Sequence, residues 1–165
     1  MNLPEDAELL GANAGELEIN GLGAHTIIRL NAGVQPLPSA SPANASAPEA
    51  LDRLCLIVEN IRGTRDATVL NVYLNLPETE TPGAHRELLA GSIGLFGLRM
   101  ASIQPGEDGS PGLTSILDVT KILIGPNAAA SPSANEIRVS IVPSRPLPEA
   151  SGIVIGRIRL FRQTY

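Results

Sequence analysis

The stretch Ala-Thr-Val-Leu-Asn-Val-Tyr-Leu-Asn-Leu, residues 67–76, indicates the fold class more clearly than any other part of the chain. Aliphatic side chains recur at every second position from Leu70, which is the spacing of a strand with one face against a core. Pro77 follows and ends the strand, because proline has no N–H to donate to a neighbouring strand. The predicted core face carries Leu70, Val72, Leu74 and Leu76.

Further strand-like segments lie on both sides of this one. Asn20-Gly21-Leu22-Gly23 separates two of them and predicts a hairpin turn. Asp118 precedes a segment that we expect to form a single helical turn, with the Asp118 carboxylate as its cap. The remaining predicted strands are 16–19, 25–30, 54–61, 87–98 (a bent strand or a strand pair), 136–143 and 152–161.

Turn-forming residues separate these segments throughout the 165-residue chain, which contains 16 glycines and 14 prolines. Residues 31–50 form the longest such stretch, rich in Pro, Ser and Ala, and are expected to be a flexible loop. Similar loops are predicted at 103–113 and 127–135. The pattern predicts an all-β domain over residues 1–165, an antiparallel β-sandwich or jelly-roll-like barrel of about eight strands.

Composition excludes several classes of partner. The formal net charge is −5, which argues against nucleic-acid binding through phosphate neutralisation. Aromatic residues make up only 2%, too few for a base-stacking surface. No apolar run approaches the roughly 20 residues that span a bilayer. The acidic amino terminus does not look like a secretory signal, so we expect a cytoplasmic protein unless the chain is cut from a larger secreted precursor.

No set of side chains in the sequence predicts catalysis. Cys55, the only cysteine, lies in the most apolar predicted strand and is expected to be an inert core thiol. His25 and His85 are too few for a multi-histidine metal centre. The adjacent carboxylates Glu107 and Asp108 are too few for a calcium loop. We therefore expect no catalytic, cofactor-binding or metal-binding residue in this chain, and no enzymatic activity of its own.

The last predicted strand places charge beside apolar residues. Strict alternation would put Ile153, Ile155, Arg157, Arg159 and Phe161 on one face, opposite Val154, Ile158 and Leu160. The arginines are either a solvated face or contacts for the carboxylates of a partner, since arginine is enriched at interfaces.

Three sets of motifs resemble the C-terminal domain of the tyrosinase and polyphenol oxidase family. The first is Leu-Ile-Val-Glu-Asn-Ile at 56–61, followed by Leu-Asn-Val-Tyr-Leu-Asn-Leu-Pro at 70–77. The second is Ala-Gly-Ser-Ile at 90–93 with Leu-Phe-Gly at 95–97. The third combines Leu-Asp-Val-Thr at 117–120 with strands 136–143 and 152–158. Together they extend over residues 54–161, in the order expected for that family.

This resemblance implies a shielding role. In that family six histidines of a separate helical domain hold two copper ions, whereas this chain has two histidines. The dinuclear copper is therefore expected in a partner, a tyrosinase-like catalytic domain or subunit that this chain covers, keeps latent or helps to fold. Some fungal members carry a Cys-x-x-Cys for copper delivery, and the single Cys55 argues against that role here.

The family often inserts a bulky side chain into the copper-site entrance, and Phe96 is the candidate for that placeholder. The alternative is that Phe96 is an ordinary core side chain. Whether the partner is fused or separate, and whether the assembly is a homo- or hetero-oligomer, stays open. The expected interface residues are Leu95, Phe96, Leu98, Arg157 and Arg159.

Two other functions remain as alternatives. A carbohydrate- or ligand-binding module would have the same fold class, although the absence of Trp counts against a sugar site. An independent enzyme is the third reading, and it lacks any recognisable nucleophile, base or metal set.

Overall fold

The computed structural model of the protein describes residues 7–31, 53–64, 69–77, 81–103, 112–124, 135–147 and 152–163. Most of the predicted loops at 31–50, 103–113 and 127–135, including Glu107 and Asp108, lie outside these ranges.

Strands dominate the described part of the chain. The strands are β1 (Ala7–Asn13), β2 (Leu17–Ile19), β3 (Ala24–Leu30), β4 (Arg53–Arg62), β5 (Val69–Leu74), β6 (Leu89–Gly94), β7 (Leu113–Asp118), β8 (Glu136–Pro143) and β9 (Ile153–Gln163). Two short helices, α1 (Leu98–Ile103) and α2 (Thr120–Ile124), and two single 3-10 turns, Pro82–Ala84 and Arg86–Leu88, accompany them.

The strands form one antiparallel sheet in the order β6-β5-β8-β3-β1-β9-β4-β7, with β2 added beside β9. The first and last strands of this order face each other: a Cβ atom on Gly91 of β6 would lie 2.8 Å from Leu117 Cδ2 of β7. The sheet therefore curls into a nearly closed barrel. This confirms the predicted all-β antiparallel fold, and of the two architectures named it is the barrel.

The strand at 67–76 is confirmed as β5, with its predicted face in the core. Leu70, Val72 and Leu74 are fully buried in the main core. Leu76 follows Asn75, whose φ is +52°, and packs in a separate cluster with Tyr73 and Leu88, so its predicted place on the same face is wrong. Burial of each such side chain contributes about 1.5–3 kcal/mol relative to exposure. β8 covers the predicted range, and its predicted core face of Ile137, Val139 and Ile141 is likewise buried.

β9 departs from the predicted alternation. Ile153 and Ile155, at odd-numbered positions, point into the barrel, and so do Ile158 and Leu160, at even-numbered positions. The inward-facing positions therefore change parity, from odd to even, within the strand. The single face predicted for residues 153–161 is therefore wrong. The change occurs at Gly156, which lies opposite Asn60 of β4.

The backbone at this point explains the change of parity. Asn60 has a φ of +56°, in the left-handed region, and a Cβ on Gly156 would lie 2.7 Å from the Asn60 Cβ. β4 changes parity at the same place, from Val58 to Ile61, both of which are buried. Since both strands shift together, their pairing stays in register, with Glu59 opposite Arg157 and Ile61 opposite Ile155.

Three other local differences separate expectation from structure. β1 was not predicted; it pairs with both β3 and β9. The segment 87–98 contains one strand, β6, and then leads into α1 instead of a second strand. The Asn20–Gly23 turn is present, with the Gly23 N–H donating to the Asn20 carbonyl at 3.0 Å, but β2 then pairs along β9 and β3 pairs along β8 and β1.

The predicted cap on the short helix is confirmed. Asp118 Oδ1 accepts hydrogen bonds from the Thr120 backbone N–H at 3.0 Å and from the Thr120 hydroxyl at 2.7 Å. The same hydroxyl accepts a bond from the Leu54 N–H at 2.9 Å, which joins the start of α2 to β4.

Candidate docking site

A tight turn between β6 and α1 exposes an aromatic ring. Phe96 is 83% exposed, whereas Leu95 and Leu98 on either side are fully buried. The Leu98 N–H donates to the Leu95 carbonyl at 3.2 Å, and Gly97 has a φ of +77°, a conformation that glycine adopts at no steric cost. The turn thus fixes Phe96 between two core anchors.

This geometry separates three residues that the sequence predicts to share an interface. Leu95 and Leu98 belong to the core cluster, so a docked partner would not reach them without opening the barrel. Leu95, Phe96 and Leu98 are all apolar, so the sequence around them has no period that distinguishes core positions from surface positions. Phe96 stays a predicted interface residue, and the alternative that it is a core side chain is wrong.

Helix α1 is anchored behind this turn by hydrogen bonds to two strand ends. The Gly63 N–H donates to Ser102 Oγ at 2.9 Å, and Ser102 Oγ donates to the Leu98 carbonyl at 2.6 Å. The Gly112 N–H, at the start of β7, donates to the Ala101 carbonyl at 2.7 Å. A surface ordered before binding loses less conformational entropy when a partner docks.

Two further apolar side chains of α1 are exposed, and sequence analysis missed them. Met100 is 51% exposed and Ile103 is 72% exposed. Met100 and Ile103 are three positions apart, which is the spacing of neighbours on one helix face, whereas Phe96 lies before the helix in the turn at Gly97. That spacing is the signal of a helix, but the sequence predicts a strand up to residue 98 and a loop from residue 103, with no helix between them.

The arginine side chains of β9 are used differently from one another. Arg159 forms an ion pair with Glu59, and its guanidinium carbon lies 4.9 Å from the centroid of the Phe161 ring. Both members of the pair are about three-quarters buried. Arg159 is therefore engaged within the barrel wall, whereas Arg157 is exposed and stays a candidate contact.

Within the described part of the chain, the candidate metal-binding and nucleophilic side chains do not form a cluster. Cys55 is half-buried and lies outside the core cluster, so its predicted place in the core is wrong. Partial burial still raises the pKa of its thiol, and the nearby charge of Asp118 raises it further, so the thiolate is disfavoured. His85 Nδ1 lies 2.8 Å from Glu87 Oε1, and this hydrogen bond lowers the pKa of Glu87. Within the described ranges, no three His, Cys, Asp or Glu side chains are placed to hold a metal ion, so these residues do not fit a copper centre.

None of the helices in the described ranges is both long and apolar enough to cross a membrane.

Comparison with known proteins supplies the family. The sequence matches the family described as "Domain of unknown function (DUF7868)" over residues 6–163. The chain belongs to the DUF7868 family. No curated protein matches this DUF7868 chain in sequence.

Solved structures with a similar fold include a latent tyrosinase and a latent aurone synthase. Latent apple tyrosinase is 17% identical with a TM-score of 0.54, and the match covers 90% of the DUF7868 chain and 27% of the tyrosinase chain. Latent aurone synthase (polyphenol oxidase) from its natural source is 10% identical with a TM-score of 0.52, covering 89% and 26%. The recombinant latent aurone synthase is 11% identical with a TM-score of 0.53, and the match covers 90% of the DUF7868 chain and 26% of the synthase chain. At these identities the likeness shows a shared fold.

The DUF7868 chain thus spans about a quarter of the length of the structures it matches. In each of them, a barrel of this kind is one part of a longer polypeptide.

Proposed function

We propose that this chain is a non-catalytic shielding domain that docks on a tyrosinase-like dicopper domain, the latter being either part of the same polypeptide or a separate subunit. The observation that carries the proposal is the exposure of Phe96 on a hydrogen-bonded turn, on a barrel with the fold found in latent polyphenol oxidases. The motifs at 56–61, 70–77 and 90–97 support the same family relationship through the C-terminal domain of those enzymes.

Phe96 acts in this proposal as the side chain that fills the entrance to the copper site. Its ring is large enough to exclude a phenol of similar size, and full burial of such a side chain contributes about 1.5–3 kcal/mol. The oxidase is then inactive for the fraction of time that the shield is docked. Acid, detergent or proteolysis activates it by shifting that equilibrium.

The chain itself supplies no step of the oxidation. The copper ions and the histidines that hold them belong to the partner, and the residues of this chain contribute exclusion of substrate and of water.

The test combines this chain with the type 3 copper polypeptide of the same genome and measures co-elution and diphenol oxidation. We expect a complex with suppressed activity, and recovery of activity when Phe96→Ala replaces the wild-type chain. Leu9→Ala is the matched control, because Leu9 is an exposed apolar residue of β1 on the wall of the barrel. Equal activity with and without this chain, both when it is added as a separate chain and when it is fused to the copper polypeptide, would refute the proposal.

A carbohydrate-binding module is the second candidate, and the exposed ring of Phe96 is the one observation that favours it, since sugars stack on aromatic faces. A thermal-shift screen with a set of oligosaccharides tests it. Stabilisation that Phe96→Ala abolishes would support the module over the shield.

A further inference from the structure

The strand register assigns each loop to one of the two ends of the barrel. β6 ends at Gly94, which lies opposite Val69 at the start of β5. β3 begins beside the Asn20–Gly23 turn, and its Ala24 lies opposite Ile141, near the end of β8. Because neighbouring strands are antiparallel, the Phe96 turn, α1 and the Asn20–Gly23 turn all lie at the same end. We call this the Phe96 end.

The most exposed apolar side chains gather at the Phe96 end. Among the described residues, every large hydrophobic side chain that is more than half exposed lies there, on α1 or on one of the two turns. These four residues form what we call the apolar cap: Leu22 (82% exposed), Phe96 (83%), Met100 (51%) and Ile103 (72%). Leu9 of β1 and Ile116 of β7 lie on the wall and are each 39% exposed.

The turns that carry the cap are fixed in place. The Leu147 N–H donates to the Gly21 carbonyl at 3.0 Å, and Leu147 is itself buried, which holds the turn carrying Leu22. The hydrogen bond from the Gly63 N–H to Ser102 Oγ likewise holds α1. Exposed apolar residues that share one end of a barrel, on turns and a helix held by hydrogen bonds, are candidates for a binding surface.

Phe96 alone cannot account for stable docking. A phenylalanine buries about 150–250 Å², whereas a specific interface buries about 800 Å² on each partner. Association also costs about 4–15 kcal/mol in lost translational and rotational freedom. The additional contact area has to come from the surface around Phe96, and the cap provides apolar area on that surface.

We infer that the apolar cap is the docking surface for the dicopper domain, with Leu22, Met100 and Ile103 contributing affinity and Phe96 contributing the block. This inference rests on the proposed function. The dicopper domain is the expected occupant of the cap, because a partner that receives the ring of Phe96 also covers the residues beside it. The solved structures of the same fold are about four times as long as this chain, so such a barrel has further polypeptide to dock on.

The test measures affinity and blocking separately. The wild-type chain and four cap variants are titrated against the type 3 (dinuclear) copper polypeptide of the same genome. The variants are Leu22→Ser, Met100→Gln, Ile103→Ser and Phe96→Ala. Calorimetry gives the Kd, and diphenol oxidation at saturation gives the residual activity. The matched controls are Leu9→Ser and Ile116→Ser, and thermal unfolding verifies that each variant is folded.

We expect Leu22→Ser, Met100→Gln and Ile103→Ser each to raise the Kd by about tenfold while saturation still suppresses activity fully. Phe96→Ala should raise the Kd and also leave activity at saturation. The wall variants should bind within about twofold of wild type.

Three results would overturn the inference. Wall variants that weaken binding as much as cap variants would place the interface on the wall. Cap variants that bind like wild type would remove the cap from the interface while leaving the shielding function intact. Failure of the wild-type chain to bind, with self-association that Ile103→Ser abolishes, would assign the cap to a second copy of this chain and refute the shield as well.

Discussion

The side chain of Leu98 packs so closely on Gly63 that a Cβ atom at Gly63 would lie 2.6 Å from Leu98 Cδ2. This contact joins the end of β4 to the first residue of α1. It acts together with the hydrogen bond from the Gly63 N–H to Ser102 Oγ at 2.9 Å. The position of the Phe96 turn therefore depends on a residue that is distant in sequence and lacks a side chain.

Gly63→Ala tests this anchor. The added methyl group forces Leu98 out of its position, and overpacking of this kind costs about 1–3 kcal/mol in the free energy of unfolding. Urea unfolding measures the loss. Gly15→Ala is the matched control, because no atom lies within 4 Å of a Cβ at Gly15. Equal stability of the two variants would show that the contact at Gly63 relaxes freely.

The pairing of Asn60 with Gly156 gives a second prediction, expressed as a double-mutant cycle. Gly156→Ala should lower the free energy of unfolding by about 1–3 kcal/mol, because its methyl group meets the Asn60 side chain at 2.6–3.0 Å. Asn60→Gly should be nearly neutral, since glycine adopts the positive φ of this site without strain.

The double variant should recover most of the loss caused by Gly156→Ala, because the clashing side chain is gone. If the losses in free energy of unfolding of the two single variants simply add in the double variant, Asn60 and Gly156 do not meet as described. The explanation of the parity change in β4 and β9 would then be wrong.

The ion pair of Arg159 with Glu59 predicts a structural effect. Arg159→Ala removes this pair and the contact with the Phe161 ring, and should cost about 1–2 kcal/mol of stability. Arg157→Ala, at an exposed position of the same strand, should stay within about 0.5 kcal/mol of wild type. Thermal unfolding distinguishes the two, and an equal loss in both would mean that the partly buried pair contributes nothing specific.

Asp118 should make the free energy of unfolding of the barrel fall at acid pH. Burial by itself raises the pKa of Asp118, but the hydrogen bonds from the Thr120 hydroxyl and N–H, with the charges of Arg53 and Lys121, outweigh it and lower the pKa below its ordinary 3.8. A lowered pKa in the folded state stabilises the protein above the unfolded pKa. This contribution is lost as the pH falls through the folded value.

Asp118→Ala should therefore be less stable than wild type at neutral pH, by about 0.5–2 kcal/mol for a lost cap. The difference should shrink as the pH is lowered from about 4, the ordinary carboxyl pKa, towards the lower value of the folded state. Unfolding midpoints measured across this range check it. A difference that stays constant down to pH 2 would show that the carboxylate charge does not matter.

The sequence predicted those features that repeat at short range. The alternation of Leu70, Val72 and Leu74 identified β5, and that of Ile137, Val139 and Ile141 identified β8, because period-two burial is visible within one segment. The parity change at Asn60 and Gly156 could not be predicted, since it depends on which strands pair and in what register.

The candidate site was predictable only in part. Phe96 lies among apolar neighbours with no periodicity, so its exposure follows from the turn at Gly97 and from the anchors of α1, which come from distant segments. The prediction of Leu95 and Leu98 as interface residues has the same origin. Only tertiary contacts separate these two core residues from the exposed ring between them.

The shielding account is tested most directly by adding increasing amounts of this chain to the type 3 copper polypeptide of its own genome and following diphenol oxidation. The account predicts that the rate falls to a floor at a one-to-one ratio, and that the Phe96→Ala chain, still bound, leaves the rate well above that floor. A rate that does not change at any ratio, with both polypeptides folded, would contradict it.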